Sequence, residues 1–230
     1  MNLLRRLSLA GTAAILAVAM CASFASAFSL RSPQVTFSSS SLQGYFTSIS
    51  EPINVNTQQV DAQTWSTTVA GNSDFTILLK NNPLNSSIGV YNSNDPSGTP
   101  TLFQVFPGAA GVGWSAMCHF GGGQLIVSLF NNGVFQGSTV YPGVDANHFS
   151  FYMQNANGTF YSQDGRNAAS APQVLTYAGV RNYGDWFECF ESDVYNSSTS
   201  TFTGAVLDLQ SVLPTPTRAQ TWGDLKARYR

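Results

Sequence analysis

The sequence is short of charge, of long apolar runs, and of cysteine and histidine, and each scarcity removes a class of function. Charged residues make up 10% of the chain, ten basic against twelve acidic. Four of the basic residues, Arg218, Lys226, Arg228 and Arg230, crowd into the C-terminal end. The rest of the chain is therefore acidic and lacks the clustered Lys and Arg that nucleic-acid binders present to phosphates. Anionic membrane surfaces are disfavoured for the same reason. Beyond Ala27 no run approaches the roughly 20 apolar residues of a spanning helix, so no integral membrane segment is expected in the mature chain. A zinc site would have to draw on Cys118, Cys189, His119 and His148 together, which speaks against one. No Gly-x-Ser-x-Gly elbow occurs, and adjacent Cys118 and His119 would fall on opposite faces of a strand.

The N-terminus has the three parts of a secretory signal peptide: basic Arg5 and Arg6, an apolar run over 7–19, and the small-residue site Ala25-Ser26-Ala27. Cleavage is expected to leave Phe28 first, with residues 1–27 removed and the mature protein secreted or at the cell surface. Cys21 follows Met20 rather than a small residue and lies inside the removed stretch, so a lipid anchor is not expected. Loss of Arg5 and Arg6 leaves eight basic against twelve acidic residues. The two remaining cysteines, Cys118 and Cys189, predict one disulfide in an oxidising compartment. Two buried free thiols are the alternative.

Ser, Thr, Asn, Gln and Gly abound, aromatics are frequent, and short apolar runs recur between turn signals. That pattern predicts a single all-β domain, a β-sandwich or jelly roll, over 28–213. The segment 28–70 reads as an entry strand or two with long loops. Strands are expected at 75–79, 88–91, 102–106, 173–178, 186–190 and 204–212. Two hairpins stand out: 124–136 around Asn131-Asn132-Gly133, and 148–162 around residues 155–158. Pro214 and Pro216 stiffen a linker opening the last segment, 214–230. In its tail, Thr221 and Asp224 suit a helix start, and Trp222, Leu225 and Tyr229 share one apolar face. The tail is read as a sorting element, with a frayed end as the alternative.

The acids available for paired-carboxylate chemistry are Asp145, Asp164, Asp185, Glu188 and Glu191. Asp164-Gly165-Arg166 also reads as a turn closed by a local ion pair. Tyr141, Tyr161, Tyr183 and Trp186 could stack on sugar rings or fill the core. From Asp185 to Asp193, alternation puts Asp185, Phe187, Cys189 and Glu191 on one face and Trp186, Glu188 and Phe190 on the other. Glu191 and Asp193 at the strand end are the candidate ligands for calcium, which takes hard oxygen donors.

Several of these segments resemble the family known as domain of unknown function 4114, found in exported and surface proteins of bacteria. The likeness runs over about 88–212. It rests on Gly89-Val90-Tyr91, His148-Phe149-Ser150-Phe151-Tyr152, Leu175-Thr176-Tyr177 and above all Trp186-Phe187-Glu188-Cys189-Phe190-Glu191. The last is similar to the family's strand preceding an Asp-rich element. Here Thr201, Phe202, Thr203 and Gly204 stand where acids are expected, ahead of the apolar Ala205-Val206-Leu207. The resemblance thus implies a degraded calcium loop in which only Glu191 carries over, and at most weak calcium binding. The C-terminal Trp-Gly-x-Leu-Lys-x-x-Tyr-Arg is similar to a short tail on exported bacterial proteins. Together these readings predict an exported, non-enzymatic module with a structural or binding role toward an extracellular or cell-surface ligand. A glycan-binding protein or glycoside hydrolase is the rival.

Overall fold

A computed structural model describes residues 28–68, 71–81 and 84–215. The expected signal peptide, residues 1–27, and the tail residues Trp222, Leu225 and Tyr229 lie outside them. The elements are a helix Ser40–Ser48 (α1) and strands Thr64–Thr67 (β1), Asn72–Leu79 (β2), Ser87–Asn92 (β3), Phe103–Phe106 (β4), Trp114–Gly121 (β5), Gln124–Asn131 (β6), Val134–Pro142 (β7), Phe149–Asn155 (β8), Gly158–Tyr161 (β9), Val174–Ala178 (β10), Trp186–Phe190 (β11), Ala205–Gln210 (β12) and Val212–Thr215 (β13). Asp164–Arg166 and Ala168–Ser170 form short 3-10 turns.

The strands make two antiparallel sheets. One has the order β10-β11-β12-β2-β5-β6-β7; the other has the order β13-β1-β8-β3-β4, with β9 added to β8. The chain is a β-sandwich, as its many short alternating strands require. The β6–β7 hairpin closes at Asn132 and Gly133, both at positive φ (48° and 79°), the conformation that Asn-Gly adopts at least cost. Between the sheets lies an apolar core built around Trp65, Phe75, Phe149, Phe151, Trp186 and Phe190. Its rings meet mostly edge to face, Trp65 on Trp186 at 5.6 Å and Phe75 on Phe151 at 5.3 Å.

The N-terminal segment departs from the expected strand and loops. Ser40–Ser48 is a helix, because Leu42, Tyr45 and Phe46 at spacings of three and four give a short sequence one apolar face to bury. With Phe37, Ile53 and Val55, this helix covers Tyr177, Phe187, Cys189 and Val206 on the outer face of β10, β11 and β12. Burying each of Phe37, Leu42 and Phe46 contributes about 1.5 to 3 kcal/mol. Gln59 fastens the segment from within: its Nε2 donates to the carbonyls of Val35 and Val55, both at 3.0 Å, and its Oε1 accepts from Val35 N at 2.7 Å. The expected strand at 204–212 is broken into β12 and β13 at Ser211, whose φ is 59°. β13 thereby crosses to pair with β1 in the second sheet.

The expected disulfide is absent: Cys118 and Cys189 are both free and buried. β12 and β2 lie between β5 and β11, a lateral offset of about 14 Å at roughly 4.8 Å per strand. The thiols also sit on opposite faces, Cys118 in the inter-sheet core and Cys189 under the helix. A bridge needs Cα atoms within about 7 Å. Burial pushes both thiols well above their ordinary range, which leaves them unreactive. Reducing agent is therefore expected to leave the melting temperature unchanged, and the denatured mature protein should titrate two thiols. No titratable thiol, together with a large drop in melting temperature under reduction, would restore the disulfide.

Candidate functional site

The five candidate acids do not converge. Asp145 precedes β8 and accepts from Asn147 N at 2.9 Å and from Asn94 Nδ2 at 3.2 Å, with His148 Nδ1 also at 3.2 Å. Glu188 is fully buried between the sheets, where its Oε1 accepts from Trp65 Nε1 at 3.0 Å and its Oε2 has no hydrogen-bond partner. Asp185 lies on the opposite side of the same sheet, near Glu51 and Asp208, and burial together with Glu51 holds its carboxyl above the usual range. Asp208 is raised further, to about 6, by burial first and then by Asp185 and Glu51. Glu51 is itself engaged: it accepts from the backbone amides of Val180, Arg181 and Asn182, each at 3.0 Å.

Glu191 is turned into the protein. Its Oε1 accepts from Ser192 N at 2.9 Å, and its Oε2 accepts from Thr201 N at 2.7 Å and Phe202 N at 3.0 Å. Asp193 Oδ1 accepts from Val194 N at 2.7 Å. The candidate calcium ligands are thus tied to loop amides, and among the described residues no group of three or more His, Cys, Asp or Glu could hold a metal ion.

Asp164 does form a turn with Gly165 and Arg166, but the local ion pair is not made. Asp164 Oδ2 pairs with Arg31 from the far N-terminal side of the domain. Arg166 instead ties down the loop after β3: Nη1 donates to Ser97 O at 2.9 Å, Nε donates to Gln163 Oε1 at 2.8 Å, and the guanidinium lies 5.2 Å from the centre of the Tyr91 ring. That loop and His148 border an open cleft of about 800 Å³ floored by Gln63, Thr64 and Gln163. A neighbouring cleft of about 400 Å³ is lined by Arg31, Asp61, Gln63, Asp164 and Tyr195.

Gln63 belongs to both clefts and brings together two carboxylates that the sequence does not single out as a pair. Its Nε2 lies 3.3 Å from Asp164 Oδ2 and 3.5 Å from Asp61 Oδ1, while its Oε1 accepts from Asp164 N at 3.0 Å. Asp164 Oδ1 is buried without a partner. Of the candidate stacking residues, Trp186 is in the core, Tyr161 packs edge to face on Tyr91 at 5.2 Å, Tyr141 lies against Phe103 at 5.9 Å, and Tyr183 is exposed on the loop before β11. None of the four lines either cleft. No protein-family model matches the chain, and no curated protein is significantly similar to it.

Proposed function

We propose that the chain is an exported, non-enzymatic β-sandwich module, secreted or held at the cell surface, with a structural or binding role there. The observation that carries this reading is that the five candidate acids do not converge. Glu188 sits in the core, Glu191 binds loop amides, Asp185 lies on the opposite face of the sheet, and Asp145 joins the loop bordering the larger cleft. Catalysis by paired carboxylates needs two acids flanking one substrate bond. The signal-like N-terminus supports export, and the segments similar to domain of unknown function 4114 support a surface setting. The open cleft along Gln63, Asn94, His148 and Arg166 is the surface assigned to ligand.

One arrangement favours the rival, a glycan-binding protein or hydrolase: Asp61 and Asp164 share the Gln63 amide in a cleft bordered by Tyr195. Arg31 neutralises Asp164, however, and a single tyrosine is a poor platform for a sugar chain. The exported protein, incubated with a panel of polysaccharides and aryl glycosides, should release no product. Turnover abolished by both D61N and D164N would establish the hydrolase and overturn the non-enzymatic reading.

A further inference from the structure

The fold leaves β7 as an open sheet edge. Of the two sheets' terminal strands, β4 and β13 have four residues each, β13 contains Pro214, and β10 is bridged at Thr176 by Val60. Shortness, proline and a covering segment are the usual protections of an edge. β7 has nine residues, pairs on one side with β6 only, and is exposed at seven of its positions. Among the described residues, its outer-side backbone donors and acceptors have no strand to meet.

Charge, the commonest remaining protection, is missing as well. Between Asp95 and Asp145 the sequence has no Asp, Glu, Lys or Arg, a stretch that includes all of β4, β5, β6 and β7. Val134, Phe135 and Val140 on β7 are exposed at 63%, 58% and 55%, and Met117 on β5 at 56%. The apolar cluster under helix α1 takes in β10, β11, β12 and the end of β2 at Leu78 and Leu79, and no residue of β5, β6 or β7. A bulge at Gln136, where pairing with β6 shifts register, leaves 137–142 as the regular segment available for a new partner.

We infer that β7 pairs with β7 of a second copy of this chain, making an antiparallel dimer whose sheets run on as one. The occupant must bring backbone hydrogen-bonding groups, because those are what an edge offers. It must also be uncharged and partly apolar, because nothing at this edge would neutralise a charge. β7 meets both conditions itself, and a two-fold contact of one patch with itself needs no second complementary surface. The inference depends only on the folded domain and is independent of the proposed export and binding role.

The test is sedimentation velocity and amide hydrogen exchange on the full mature chain at high micromolar concentration, with V140K and the control V194K. Val194 is equally exposed but lies on the loop after β11. The expected result is a dimer for wild type and V194K and a monomer for V140K, all with the same melting temperature. Amides in 137–142 should gain protection with concentration in wild type only. A monomeric wild type would overturn the inference, as would a dimer that V140K leaves intact. Open-ended polymers would overturn it too, since a two-fold contact closes at two copies.

Discussion

Replacing Glu191 with alanine should lower the stability of the domain by about 3 to 5 kcal/mol, because it strands three backbone donors at the base of one loop. In a domain of this size that corresponds to a drop of very roughly 10 °C or more in melting temperature. The carboxylate accepts from Ser192, Thr201 and Phe202 and so holds both ends of the loop between β11 and β12. Phe202 is the reason the loop must be held. It is fully buried at a positive φ of 53°, a strained backbone for an aromatic residue, and its ring packs on Phe37 at 5.1 Å. Glutamine keeps one acceptor oxygen but turns an N–H₂ group toward a backbone N–H, so E191Q should fall between wild type and alanine. Calcium should do nothing here: backbone N–H groups already fill the carboxylate and would repel a cation. Melts of wild type with calcium and with chelator should superimpose. A rise of many degrees with calcium would mean that Glu191 leaves the amides to bind metal.

That role for Glu191 shows where a linear reading of this chain stops. The two faces of β11 could be read directly, since strand periodicity is two: Trp186 and Phe190 point into the sandwich with Glu188, and Phe187 and Cys189 point under the helix. The β6–β7 hairpin could be read for a similar reason, because Asn132-Gly133 encodes its reversal locally. What could not be read depends on strand order. Cys118 and Cys189 look alike in sequence, but only the β11-β12-β2-β5 order shows that two strands and a sheet thickness separate them. The helix Ser40–Ser48 was hidden because its apolar face is a little over one turn long amid Ser, Gln and Gly. The Asp61–Gln63–Asp164 cluster joins residues 101 apart, and no local pattern marks them. Acidic residues near a strand end fit a cation or a set of amides equally well on paper. The loop's own N–H groups decide between the two, and their directions are a property of the folded backbone.

The second large effect is expected at Glu188 and concerns pH. The residue is fully buried, Trp65 Nε1 donates to its Oε1, and Oε2 is unpartnered. Burial raises its carboxyl well above the usual range; Thr176, Trp65 and the more distant Arg31 favour the ionised form but do not offset that cost. A carboxyl raised on folding binds its proton more tightly in the native state. Its stabilising contribution is therefore complete below the unfolded value, near 4.5, and is lost as pH rises from there toward the folded value. Asp208, raised from 3.8 to about 6, acts with the same sign over its own window. Asp95 and Asp145, whose carboxyls are held low, act oppositely but below 3.8. The contribution of Glu188 should thus be greatest in acid and fall as pH rises above about 4.5 toward its folded value, at up to about 1.4 kcal/mol per pH unit. E188Q keeps the shape and an acceptor for Trp65 but has no proton to lose, so its stability curve should be flatter, with the gap over wild type widening as pH rises. E188A should be worse than wild type in acid, by about 3 to 5 kcal/mol, since it opens a cavity and strands the Trp65 N–H, and that gap should narrow as pH rises because alanine has no proton to lose. Denaturant unfolding of the three proteins from pH 4 to 9 decides the matter. Parallel curves for wild type and E188Q would show that folding does not raise the Glu188 carboxyl, and the pH dependence assigned to it would have to be withdrawn.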